Sequence, residues 1–183
     1  MEDLAVINYA EFAYGRKNEG RVLLFKLLAI AGYFLFAVAY FVVCITLLPI
    51  HLYAVAPIFL WILVFFTWRY VSYDYYFEFK SGTLELGTIR GSAKGRKRRV
   101  RRAVHIKDAS LCERYSGDAK SLGQVNEVAD FSGSRLSQNR VAVVYEQNGK
   151  NCAVIFECTS KCANLLAAFN PVAKSLKGQT FYG

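Results

Sequence analysis

Between Leu27 and Trp68 the chain has no Asp, Glu, Lys or Arg, a gap of 42 residues closed by Lys26 on one side and Arg69 on the other. Solvent-facing helices of a small domain carry a polar face, so a gap of this length excludes an ordinary surface hairpin. Acidic residues are missing from a second interval, Arg90 to Arg102, which argues against internal neutralisation by neighbours in sequence. Histidine is scarce, with His51 and His105 far apart, no C-x-x-C pair occurs, and Cys158 and Cys162, four apart, read as small buried hydrophobes rather than as zinc ligands. The five cysteines, Cys44, Cys112, Cys152, Cys158 and Cys162, are an odd number, and cytosolic thiols stay reduced, so no disulfide framework is expected. Gly91-Ser92-Ala93-Lys94-Gly95 lacks the order of a phosphate-cradling loop, and neither H-E-x-x-H nor G-x-S-x-G is present. No cofactor or metal is expected. His105 has no evident nucleophile or orienting carboxylate beside it, and Asp108 and Glu113 would pair only by accident of folding, so the sequence reads as non-enzymatic.

About 20 apolar residues cross a bilayer core roughly 30 Å thick, so the uncharged run is long enough for two crossings. Leu48-Pro49-Ile50-His51-Leu52 divides it into halves of about 22 and 17 residues, which predicts a transmembrane helical hairpin over 23–70. Trp68, Tyr70 and Tyr73 stand at its end, where amphipathic rings prefer the interface. Pro57 is tolerable, since neighbouring helices re-satisfy a freed backbone group. A hairpin buried in a soluble all-α core is the competing reading, and a chain this short has little protein with which to surround it.

Arg16, Lys17, Arg21 and Lys26 precede the first half, Arg69 ends the second, and the turn between has no fixed charge. The positive-inside rule then puts both termini in the cytoplasm and makes 1–22 a cytoplasmic segment. Glu2 and Asp3 stand where a signal peptide would be basic, so the run is expected to remain as an anchor in the cell membrane. Two spans with no buried charge cannot line a polar pore alone. Gly32 with Ala29, Ala31, Ala37 and Ala39 offers close helix contact, which leaves homo-oligomer formation open. His51 and Cys44 are the polar or soft groups nearest the outer face.

Residues 72–183, roughly 110 in number, suffice for one small domain. Tyr73, Tyr75, Phe77 and Phe79 alternate with Asp74, Tyr76, Glu78 and Lys80, the period of a strand. Ser81-Gly82 turns the chain and Leu84 and Leu86 resume the alternation to Ile89, giving a hairpin over 73–89. A third strand is expected from Val100 or Ala103 to Ile106. Residues 115–139 read as a long loop holding a short helix or strand. Val141–Tyr145 and Cys152–Phe156 form a hairpin through Asn148-Gly149, the pair that favours a type I′ turn. Thr159 or Ser160 caps a helix with apolar face Cys162, Leu165, Leu166 and Phe169, ended by Pro171. The fold class is α+β: a membrane hairpin, then a small antiparallel sheet or partly open barrel plugged by a terminal helix, the plan of pleckstrin-homology-like (PH-like) domains.

Tyr73-Asp74-Tyr75-Tyr76, Gly82-Thr83-Leu84-Glu85-Leu86, Gly95-Arg96-Lys97-Arg98-Arg99 and Phe169-Asn170-Pro171 together resemble an uncharacterised bacterial family of short two-span membrane proteins with a cytoplasmic PH-like domain. The resemblance covers most of the chain; it implies the architecture and carries no activity. Leu86-Gly87 departs from it where an Ile-Asp pair is common, so no role is carried over for that acid.

The net charge of +9 is concentrated in eight residues, Arg90, Lys94, Arg96, Lys97, Arg98, Arg99, Arg101 and Arg102, and the rest of the chain nets only +1. A cluster of this kind points to one surface facing an anion. If the first strand leads away from the bilayer and the second returns, the cluster forms a loop facing anionic phospholipid headgroups, which attract about 1 kcal/mol per nearby Lys or Arg. The bland alternative is a solvated loop that enforces topology. Nucleic acid is disfavoured, because Gly91 to His105 contains no Phe, Tyr or Trp on which a base could stack. The expected function is a membrane-anchored binding or scaffolding module; the alternative is an accessory subunit whose PH-like domain binds a membrane protein partner.

Overall fold

The computed structural model describes residues 8–17, 19–47, 55–71, 73–90 and 97–182. It falls into two units, 17–73 and the combination of 1–16 with 74–183.

In the first unit, helix α1 spans Arg21–Leu47 and helix α2 Ala56–Val71. Neither has an acidic residue in its first turn, and both are apolar all round. Phe25, Phe34, Leu35, Ile45, Trp61 and Phe66 are all exposed. Val22–Thr46, with mean hydropathy 2.5, is long and apolar enough to cross a membrane by length and composition. Pro57–Trp68 is a shorter apolar helix. Sixteen helical residues rise about 24 Å, less than the bilayer core, so α2 alone does not reach across. Lys26, expected as a boundary, lies inside α1. The helices are joined by a hydrogen bond between the hydroxyls of Tyr33 and Thr67. Cys44 is buried, and nothing lies within 4 Å of a Cβ built at Gly32. The turn containing Pro49 and His51, and the side chains of Arg69 and Tyr70, are outside the described residues.

The second unit begins before the helices. Strand β1, Tyr9–Tyr14, pairs antiparallel with β2, Asp74–Lys80, in the register Tyr9↔Lys80 to Tyr14↔Tyr75. Treating 1–22 as a segment apart from a domain starting at 72 therefore leaves out an edge strand. Its Ala10, Phe12 and Tyr14 alternate with Tyr9, Glu11 and Ala13, but only six residues keep the period, too few to stand out ahead of the apolar run. Strand β3, Thr83–Arg90, and β4, Lys97–His105, complete the sheet in the order β1-β2-β3-β4.

The second sheet has the order β5-β7-β8-β6, from β5, Ala109–Arg114, β6, Glu127–Asp130, β7, Arg140–Gln147, and β8, Lys150–Glu157. It is antiparallel except for β6, which pairs parallel to β8, so the all-antiparallel expectation is corrected at this edge. Segment 115–139, expected as a loop with one short element, holds β6 and a 3₁₀ turn at Ala119–Leu122. Leu122 covers Ala142, Val144, Ala153 and Ile155 on the outer face of this sheet. With Val141 and Val143 buried on the other face, β7 is apolar on both sides, which explains its unbroken run.

Both hairpin turns stand where read and take the left-handed conformation, expected from sequence for the Asn-Gly pair: Ser81 and Gly82 have φ of 50° and 85°, Asn148 and Gly149 55° and 72°. Between the sheets Phe77 meets Phe156 edge-on at 5.4 Å. Helix α3, Ser160–Phe169, is capped by Thr159, whose hydroxyl accepts from the Cys162 amide at 3.3 Å. It buries Cys162, Leu165 and Leu166 and sets Phe169 against Phe79 at 5.3 Å. Buried Asn170 donates to the carbonyls of Ile106 and Ala109 at 2.6 and 2.9 Å and accepts from the Val172 amide, tying the helix end to the corner between β4 and β5. Pro171 opens a final 3₁₀ turn, Pro171–Leu176.

Candidate functional site: the basic edge strand

The expected basic loop is in large part a strand. Lys97, Arg98, Arg99, Arg101 and Arg102 lie on β4, which starts three residues before the expected Val100, and Arg90 ends β3 opposite Lys97. Lys94 and Arg96 lie outside the described residues. Repeated arginine hides a strand's period, because the side chains on both faces are alike; only the cross-strand partner separates them.

The pairing separates them sharply. Glu11, Glu78 and Glu85 stand in register across β1, β2 and β3. Arg98 reaches over this row, donating to Glu11 at 2.8 Å and Glu78 at 3.2 Å, with its guanidinium 5.5 Å above the Tyr76 ring. The hydrogen bond from Arg98, with another from Tyr9, holds the Glu11 carboxyl below the ordinary carboxylate range, and the same bond pushes the Tyr9 hydroxyl up to about 12. Arg102 forms an ion pair with Glu127, joining β4 to the edge strand β6 of the other sheet. Arg98 and Arg102 are thus spent inside the domain. Lys97, Arg99 and Arg101 are exposed, and no side-chain hydrogen bond or ion pair holds them among the described residues.

A register shift at Leu86/Gly87 sets Arg98, opposite Ile89, and Arg102, opposite Leu86, on different faces of β4. Gly87 lies opposite Val100, and a Cβ built there would stand 2.3 Å from the Arg99 carbonyl oxygen and 2.6 Å from the Tyr76 ring. An aspartate at this position would collide with the β4 backbone, so the departure from the Ile-Asp pattern permits close approach of the basic strand.

Register also fixes which end of the sheet is which. Tyr14 pairs with Tyr75, Asp74 with Ile89, Ile89 with Arg98 and Arg90 with Lys97. Both chain connections to the helical unit, and the start of the basic strand, therefore leave the sheet at one end. A family model described as Bacterial PH-like domain (DUF6106) matches residues 8–174. The chain belongs to that family. The DUF6106 match starts immediately before β1 and runs through the helices, so the strand ahead of the helices is part of the family's unit. No curated protein and no solved structure matches the chain.

Other sequence candidates in this DUF6106 chain are dispersed. His105 is exposed, with Nδ1 3.0 Å from the Thr83 hydroxyl. Asp108 sits in the 3₁₀ turn Ile106–Asp108 and Glu113 on β5. Among the described residues no group of three or more His, Cys, Asp or Glu is arranged to hold a metal. All five cysteines are free and buried; burial pushes the Cys112 thiol up to about 12, and burial with a hydrogen bond to Cys162 holds Cys158 well above its ordinary value.

A second cationic locus escaped the sequence reading. Arg114 at the end of β5, Arg135, and Arg140 at the start of β7 line one cavity of about 470 Å³. They are too far apart in sequence to register as a charge cluster. The available signal was Arg140 itself, a charge directly against the apolar run of β7.

Proposed function

We propose that this protein is a membrane-anchored, non-enzymatic binding module whose helical segment fixes it in the bilayer and whose free cations on β4 engage anionic phospholipid headgroups. The observation that carries this reading is the trio Lys97, Arg99 and Arg101, exposed on an edge strand that begins at the sheet end from which both helical connections depart. Three cations near an anionic leaflet contribute about 3 kcal/mol, roughly a hundredfold in binding, fading within a Debye length of about 8 Å. The sheet supports the anchor: a chain that leaves β1 and returns as β2 of the same sheet crosses any membrane an even number of times. One span by α1 alone does not suit that pairing, so α2 provides the return, with local thinning of the bilayer meeting the shortfall in length. The positive flanks favour a cytoplasmic side for both termini.

The test joins Arg16 to Asp74 by a short Gly/Ser linker in place of 17–73, which keeps β1 in the sheet. This domain is floated with neutral or anionic vesicles over a salt series. Binding is expected to need anionic lipid, weaken with salt, and fall about a hundredfold in Lys97→Gln/Arg99→Gln/Arg101→Gln; equal binding by the triple variant refutes the headgroup contact. In the whole chain, tags on the two termini should be accessible from the same side, and opposite sides refute the return crossing. A second reading, an accessory subunit, rests on the position of β4 at the end of its sheet, where Val100 is 48% exposed and strand addition would take place; purification of the lone chain from mild detergent would count against it.

A further inference from the structure

We infer that Arg114, Arg135 and Arg140 form a binding site for a phosphomonoester dianion, carried by a small soluble compound or by a lipid headgroup. The cavity they line, about 470 Å³, is within the range of roughly 300–1,000 Å³ in which small ligands are held. Arg140 is 5% exposed, unusual for an arginine. Its Nη1 donates to the Arg135 carbonyl at 2.8 Å and its Nη2 to Asp130 at 3.3 Å, while Nε is buried with no partner. Both Nη groups are thereby fixed in place beside the cavity.

The other arginines are held for the same task. The Arg140 guanidinium lies 4.7 Å over the Tyr115 ring, and that of Arg114 lies 4.6 Å over Phe181 with Nη2 donating to the Thr180 carbonyl at 2.9 Å. Rings beneath two guanidinium planes orient them before a ligand arrives, which reduces the ordering cost of binding. Arg135, exposed, supplies the third charge, and Ser116 and Ser137 add hydroxyls to the lining. Arg140 is offset by its ion pair with Asp130, which leaves Arg114 and Arg135 as two cations lining the cavity. A phosphomonoester carries about −1.5 to −2 at neutral pH and offers three acceptor oxygens, whereas a carboxylate or sulfate ester carries one charge and leaves a cation unmatched.

The proposal stands apart from the headgroup reading of β4 and survives its failure. The experiment uses the full chain in phosphatidylcholine nanodiscs, titrated calorimetrically with phenyl phosphate, phenyl sulfate and benzoate. Saturable one-to-one binding of phenyl phosphate is expected, at least tenfold tighter than the other two. Arg135→Ala removes an exposed side chain but keeps the carbonyl that holds Arg140, so the fold is retained; it should weaken phenyl phosphate about tenfold, and Arg114→Ala similarly. The triple β4 variant should bind phenyl phosphate unchanged. Adding phosphatidic acid to the nanodisc separates the sources: at least tenfold competition assigns the site to a lipid headgroup, and no competition to a soluble ester. Absence of saturable binding, equal affinity for phenyl sulfate, or undiminished binding by Arg135→Ala overturns the assignment.

Discussion

Replacing Tyr14 by phenylalanine removes one oxygen from the junction of the two sheets. That hydroxyl donates to the Phe131 carbonyl at 2.9 Å and accepts from the Glu157 amide at 3.2 Å, and the side chain is 8% exposed. The variant keeps the ring, which packs on Tyr75, but leaves a backbone donor and an acceptor without this partner in a buried setting. A net hydrogen bond is worth about 1 kcal/mol and an orphaned buried group about 1–3, so the expected loss is about 2–3 kcal/mol. For a domain of this size that corresponds to a fall in Tm of roughly 10 °C. The assay is urea denaturation of the linker-joined domain, followed by circular dichroism because both tryptophans, Trp61 and Trp68, belong to the excised helices. The midpoint should drop with the slope unchanged. Burial raises the Tyr14 hydroxyl well above its ordinary value. Its stabilisation is therefore full below about pH 10, the unfolded value, and is lost as pH rises through the folded one. The difference between parent and variant should narrow in that alkaline window. A loss below about 0.5 kcal/mol at neutral pH would mean that β1 is not docked through this hydroxyl.

Gly87→Ala should force β4 away from β3 and cost at least about 2 kcal/mol in the same assay, since the Cβ meets backbone that cannot move aside as a side chain would; a neutral result would contradict the tight bulge. Glu11 titrates below the ordinary range because of Arg98, so the pair's contribution is present above the unfolded value of about 4.3 and is lost as pH falls through the folded one. Both side chains are more than a third exposed, which limits the effect to under about 1 kcal/mol, and Arg98→Gln should reduce the acid-side slope due to Glu11 to the part that Tyr9 supplies; an unaltered pH profile would refute the pairing.

Elements with a strong local signal were legible in the sequence. The Asn148-Gly149 and Ser81-Gly82 hairpins and the Thr159-capped helix depend on neighbours a few residues apart, and each stands where read. Strand β1 was not legible, because six residues became a strand only through a partner beyond the helices. The site was half legible: composition located the basic cluster, but only cross-strand register distinguished Arg98 and Arg102, bound to glutamates, from exposed Lys97, Arg99 and Arg101. The arginines of the cavity come from three chain positions that only folding unites.

The pairing of Tyr14 with Tyr75 imposes an order of events on biosynthesis. During translation the first strand emerges and must wait, unpaired, while both helices are made. Only when residues 74–80 leave the ribosome does β1 find its place. Closure of the sheet thus becomes a report that both helices have been made. A chain in which 74–80 failed to reach β1 would retain an unmatched strand edge and a half-covered core, features that mark it for proteolysis.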